Sequence, residues 1–243
     1  MISVVCVAND RAKLERCLLP GLENQSVEFE LIIIDNSANM YESAAKALNF
    51  GGMNAKGKYI VFVHQDVCIP STTWLEEVEA ILDEIQKLGI AGVAGRKDRN
   101  DTVTNITHGE VHPRPAGLKV DSVTAVQTVD ECLFIIPRCV LDELPFDEKV
   151  CNDWHFYAVD YSLSVARKGL GVYVLPTVVH HMSDFTSLST GIGGYYSTLK
   201  RILRKHRNNI GYVYTTTGVW NTHRSVMFQR TISLVISQLR RMT

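Results

Sequence analysis

Asn49-Phe50-Gly51-Gly52-Met53-Asn54-Ala55-Lys56-Gly57-Lys58-Tyr59-Ile60-Val61-Phe62-Val63-His64-Gln65-Asp66 joins a glycine-rich segment to an apolar run with a polar end. Tyr59–Val63 is apolar without interruption, the pattern of a strand buried on both faces. It ends at once in the polar cluster His64-Gln65-Asp66. Upstream, Ile2–Val7 ends in Asn9-Asp10, and Leu31–Ile34, also read as buried on both faces, ends in Asp35-Asn36-Ser37. Downstream, Ile90–Ala94 is a fourth short strand. Helices fill the gaps. Asp10 caps one over Arg11–Leu19 that Pro20 closes, and Tyr41–Leu48 forms another that Gly51 and Gly52 end. Thr73 and Glu76 form a capping box before Leu75, Val78, Ile81, Leu82, Ile85 and Leu88, with Gly89 as the stop. The alternation predicts an α/β fold, a mainly parallel twisted sheet with helices on both faces. Ligands of such sheets bind at the carboxyl ends of the strands, so three neighbouring strand ends that each carry an Asp predict a site.

The rest of the chain is less regular. Lys97–Lys119 reads as a polar loop or irregular hairpin, Val123–Val129 and Cys132–Ile136 as strands, and Val159–Lys168 as a helix stopped by Gly169. Val172–Leu175 is a strand, followed by Pro176 and His180-His181. Ser183–Gly194 is rich in Ser, Thr and Gly and is expected to be mobile. Lys200–Arg207 and Ser225–Arg241 read as basic helices. With 243 residues, 46% hydrophobic and 21% charged, the chain is an ordinary globular protein that needs no disulfide or structural metal to fold. Its apolar runs are too short to span a membrane, and no secretory signal is read at its start. The six cysteines lack zinc or redox spacing and are expected as buried thiols in a reducing compartment.

The net charge of -1 conceals a division. Residues 1–184 hold all 26 acidic residues, whereas residues 185–243 hold none and carry nine bases, from Lys200 to Arg241. Two units are therefore expected, a body over 1–184 and a basic, partly helical extension over 185–243. The extension either docks on the acidic body or meets an anionic partner, such as a membrane surface, a diphosphate or a nucleic acid. Asp66 at a strand end is either a ligand for a divalent cation or a turn residue before Pro70.

Asn49-x-Gly51, then Ala55-x-Gly57-x-Tyr59 leading into a strand that ends at Asp66, resembles the core of the inverting family 2 glycosyltransferases of the GT-A fold. In that family the strand carries Asp-x-Asp; here it reads His64-Gln65-Asp66, a form similar to a bacterial subset. Pro145-Phe146-Asp147-Glu148, Trp154–Leu163, Arg167-Lys168-Gly169 and His180-His181 continue the resemblance through residues 2–184. Position 48 is Leu, where many relatives carry Arg.

The resemblance implies a site. Asn9, Asp10, Asp35, Ser37, Asn49, His64 and Asp66 would hold the nucleotide donor, most simply a UDP-sugar. Asp66 with His180 or His181 would bind Mn²⁺ or Mg²⁺. Asp160 would be the catalytic base, and Asp130, Glu131, Trp154, His155 and Tyr157 would meet the acceptor. The implied activity moves a sugar from a nucleotide-sugar to a hydroxyl of a growing surface glycan or lipid-linked acceptor. The enzyme would be cytoplasmic, at the inner face of the membrane where the basic tail meets anionic lipid, with no nucleic-acid partner. The alternatives are a sugar nucleotidylyltransferase and a catalytically silent glycan-binding or scaffold subunit. The first strand lacks a Gly-rich basic loop for a triphosphate, which counts against the former. His64 in place of Asp favours the latter; retained Asp66, Asp160 and His180-His181 oppose it.

Overall fold

The computed structural model describes residues 1–110, 114–115, 117–183 and 192–232. The first half runs β1 (Ile2–Ala8), α1 (Arg11–Arg16), α2 (Leu18–Glu23), β2 (Phe29–Asp35), α3 (Ala44–Asn54), β3 (Tyr59–His64), β4 (Val67–Cys68), α4 (Trp74–Asp83) and β5 (Leu88–Gly92). Short strands follow: β6 (Ala94–Arg96), β7 (Thr102–Thr104), β8 (Ile106–His108), β9 (Arg114–Pro115), β10 (Thr124–Ala125), β11 (Thr128–Val129) and β12 (Leu133–Pro137). The second half continues with α5 (Arg138–Glu143), α6 (Tyr157–Arg167), β13 (Gly171–Val174), β14 (Val179–His181), α7 (Ile192–His206), β15 (Tyr212–Thr215) and β16 (Gly218–Asn221).

The central sheet has seven strands in the order β10-β13-β5-β12-β3-β1-β2. β2 and β3 flank β1 in parallel, in register from Ile2↔Phe29 and Ile2↔Tyr59, and β13 runs parallel to β5. β12 runs antiparallel between β3 and β5, and β10 antiparallel to β13, so the α/β sheet is mixed. Successive residues of a strand face opposite sides. Val5, Phe62 and Phe134 therefore join α3, α6 and α7 in one core, whereas Val4, Val61 and Ile135 join α1, α2 and α4 in the other.

Several local expectations change for packing reasons. Pro20 does not end a helix; it occupies the first turn of α2, where its missing N–H costs nothing. Gly51 and Gly52 lie inside α3. A Cβ at Gly51 would fall 2.4 Å from Val5 Cγ1, and one at Gly52 would fall 2.3 Å from Leu141 Cδ2. Gly51 lets the helix lie close against the sheet, and Gly52 lets it lie close against α5. Gly57 serves the same end between loop and strand, since its Cβ would lie 2.4 Å from the backbone N of Ser3. Thr73 bonds Glu77 through its hydroxyl, so the capping box does not form, and α4 ends at Asp83 while Gly89 sits within β5. β2 is the sheet edge, where Leu31 and Ile33 are each 38% exposed instead of buried. Gly169 does stop α6, at φ +78°. All six cysteines are free, but Cys139 is exposed.

The described part of the basic extension packs on the body. Leu199, Ile202 and Leu203 of α7, with Val213, Trp220 and Val226, share the α6 core. Residues 226–232 are helical; the remainder of the Ser225–Arg241 reading, and most of Ser183–Gly194, lie outside the described residues. No described helix is long and apolar enough to cross a membrane.

Candidate active site

The carboxyl ends of β1, β2 and β3 open into a cavity of about 450 Å³, lined by Asn9, Asn36, Asn39, His64, Asp66 and Tyr157 among others. Gln65 ties two of these ends together. Its Oε1 accepts the N–H groups of Asn9 and Asp10 at 3.0 Å each, and its Nε2 donates to Asn9 Oδ1 at 2.7 Å.

A second sheet completes the site from far along the chain. β4 pairs antiparallel with β14, which pairs parallel with β8, and β8 pairs with β9. This register sets His181 opposite Val67, beside Asp66. His181 Nε2 lies 3.2 Å from Asp66 Oδ1, and Ser183 donates its hydroxyl to Asp66 Oδ2. An imidazole nitrogen this close to a carboxylate oxygen needs a proton or a cation between the two. Neighbouring residues of a strand face opposite sides, so His180, also expected as a metal ligand, turns away and meets Thr107 Oγ1 through Nδ1 at 2.9 Å. His64 completes the group. One ligand atom from each of His64, Asp66 and His181 lies within 4.8 Å of the others.

The electrostatics suit a cation. Burial opposes the charge on Asp66, but the His181 hydrogen bond and charge, the Ser183 hydroxyl and His64 outweigh it and hold the carboxyl well below its usual range. Burial, then His181, pushes His64 down to about 4, so it is neutral near pH 7 and keeps a lone pair. Its Nε2 lies 2.9 Å from Tyr157 Oη, whose hydroxyl donates to the Glu131 carbonyl at 3.4 Å. His64 Nε2–H then donates to the phenol, and Nδ1 is left for a metal. Two imidazoles and one carboxylate form a donor set that fits a divalent transition metal.

Other expected residues lie elsewhere. Asp35 accepts the Ser37 N–H at 2.8 Å, and both are exposed; Asn36, the alternate residue of that strand end, lines the cavity instead. Asp10 caps α1 through the Lys13 N–H. Asn49 clasps the Phe146 backbone, accepting its N–H at 2.9 Å and donating to its carbonyl at 3.0 Å. It joins two motifs and does not wall this cavity. Asp160 is 2% exposed and bonds Lys205 Nζ at 2.6 Å and His206 Nε2 at 2.9 Å. Lys205 also reaches Asp147 at 3.0 Å. Asp160 lines a separate cavity with Asn49 and Lys205, so it is a buried ion-pair residue away from the cleft.

A further cavity of about 270 Å³ adjoins the first and shares His64, Glu131 and Trp154 with it. Asp130 and His155 line it; Tyr157 lines the first cavity. Tyr195 of α7 and Thr215–Thr217 of the β15–β16 hairpin supply one part of its wall. These residues come from the extension and carry no motif, which is why the sequence did not single them out. Composition alone hints at them, through the run Thr215-Thr216-Thr217.

No curated protein matches the chain in sequence. In structure it is similar to GalNAc-T7 solved with UDP, GalNAc and Mn²⁺, at 12% identity and a TM-score of 0.61, over 85% of this chain and 47% of that one. It is similar to the mannosyltransferase PcManGT of Pyrobaculum calidifontis, in complex with GDP-Man and Mn²⁺, at 14% identity and 0.57, over 86% and 64%. It is also similar to S. aureus TarS 1-349 in complex with UDP-GlcNAc, at 14% and 0.57, over 83% and 65%. The chain thus spans less than two thirds of these structures, and at such identities the likeness establishes the fold. Sequence carries the relationship further, because residues 3–189 match the profile described as "Glycosyltransferase like family". The chain belongs to that family.

Proposed function

We propose that this chain transfers a sugar, with inversion, from a nucleoside diphosphate donor to a hydroxyl of a growing glycan or lipid-linked acceptor. The observation that carries the reading is the His64, Asp66 and His181 group at the carboxyl ends of the central strands, on a cavity large enough for a nucleotide. Family membership and solved neighbours crystallised with UDP, GDP-Man and UDP-GlcNAc support it.

A divalent cation held by those three residues would neutralise the departing diphosphate. Their two imidazoles suit Mn²⁺ better than Mg²⁺, which prefers oxygen ligands. Asn9, Asn36 and Asn39 offer amides to the ribose and base, and Trp154, 38% exposed, offers a ring face to a sugar. The body over 1–184 then supplies the donor site, and Tyr195 and Thr215–Thr217 of the 185–243 extension wall the acceptor side. The bases of the extension support an anionic membrane surface as a further partner, and the free thiols support a cytoplasmic setting.

Calorimetric titration of UDP and GDP, with and without Mn²⁺, tests the reading. Mn²⁺-dependent binding that disappears in Asp66→Ala is expected. Equal binding without metal, or no binding of either nucleotide, overturns it.

A further inference from the structure

We infer that Glu131, and not Asp160, is the general base that takes the proton from the acceptor hydroxyl. The inference rests on the transferase reading above and deepens it. Three carboxylates line the two adjoining cavities: Asp66, Asp130 and Glu131. Both oxygens of Asp66 face His181 and Ser183. Both oxygens of Asp130 are taken too, Oδ1 by the Cys132 N–H at 3.1 Å and Oδ2 by the Thr216 hydroxyl at 2.7 Å. Glu131 stands apart. It is the one carboxylate that walls both cavities, and its buried Oε1 has no hydrogen-bond partner among the described residues. An unpaired buried acceptor is costly, so such an atom calls for a donor that arrives with a ligand.

The backbone prepares this carboxyl. The N–H groups of Tyr157, Ala158 and Phe156, at the start of α6, favour its charged form. Phe156 holds the turn there at φ +66°, a strained conformation for a residue with a side chain. Burial, then Asp130, pushes the other way and leaves the carboxyl well above its usual range, which makes it a stronger proton acceptor than a solvated one. Asp160 offers none of this, with Lys205 and His206 on its two oxygens.

In the step, the acceptor O–H bond breaks and its proton passes to Glu131. The acceptor oxygen forms the new bond to the anomeric carbon. The bond from that carbon to the diphosphate oxygen breaks, and its electron pair leaves with the nucleoside diphosphate.

Water serves as the acceptor in the test. The full chain is incubated with Mn²⁺ and, in turn, UDP-glucose, UDP-galactose, UDP-GlcNAc, UDP-GalNAc and GDP-mannose, and the released diphosphate is measured. Glu131→Gln should lower release by about 10²–10⁴-fold while the calorimetric affinity for UDP is unchanged. Sodium azide attacks as an anion and needs no base, so it should restore release in Glu131→Gln and give the inverted glycosyl azide. Release in Glu131→Gln within about threefold of the parent overturns the proposal, as does failure of azide to restore it. A loss confined to His155→Gln overturns it as well. Those results leave nucleotide binding intact and spare the transferase reading. A parent chain that binds neither nucleotide sinks both.

Discussion

Asp66 and Asp160 are both buried, both close to a histidine nitrogen, and chemically opposite. Asp66 faces His181 and Ser183 on an open cavity, with no lysine or arginine bonded to it among the described residues. Asp160 faces His206 and the ammonium of Lys205 between α6 and α7. A carboxylate whose charge a lysine already balances has nothing to offer a metal or an acceptor proton. A carboxylate flanked by an imidazole and a hydroxyl on an open cavity keeps its charge available to a metal. The two sites teach that an aspartate's function follows from its counter-charge more than from its burial.

The sharpest way to break this comparison is Asp160→Ala. Removing one member of a buried ion pair should cost about 3–5 kcal/mol, or roughly 10 °C in Tm for a chain of this size, while UDP affinity per folded molecule holds. An unchanged Tm with loss of sugar transfer would return Asp160 to the catalytic role. Next is His181→Ala, which should weaken Mn²⁺ binding by about 10–100-fold in isothermal titration, on the scale of lost metal-site partners. Unaltered Mn²⁺ affinity would remove His181 from the ligand set. Asn49→Ala should cost about 1–3 kcal/mol in urea unfolding, because it strands the Phe146 backbone groups; a large drop in nucleotide affinity at normal stability would restore it to the donor site. The smallest effect is expected at His180→Ala. Losing the hydrogen bond to Thr107 should cost about 0.5–1.5 kcal/mol and leave Mn²⁺ affinity alone. A Mn²⁺ defect equal to that of His181→Ala would show that β14 does not hold the facing described above.

Much of the fold was legible because its signals are local. Unbroken apolar runs marked the central strands, and Gly169 marked the end of α6. The glycines of α3 misled for the same reason: Gly51 and Gly52 look like helix breakers until Val5 and Leu141 are seen to need the space. At the site, the cluster Asp35-Asn36-Ser37 was visible, but strand parity sends the middle residue inward. The pair His180-His181 was visible, and the pairing of β14 with β4 chose between them. Leu31 and Ile33 look as buried as Val61 in sequence, yet β2 lies at the sheet edge.

The alternation of strand and helix, the polar strand ends and the motifs that carry the family resemblance are all written in the linear order of residues. These depend on side-chain periodicity over a few residues. Long-range packing set the antiparallel entry of β12, the meeting of Asp66 with His181 and of Asp160 with Lys205, and the place of Glu131 between two cavities, its Oε1 without a partner among the described residues. Those outcomes depend on which distant backbones pair and on the register in which they do so. A shift of one residue reverses the side a strand residue faces, and no local pattern records that choice.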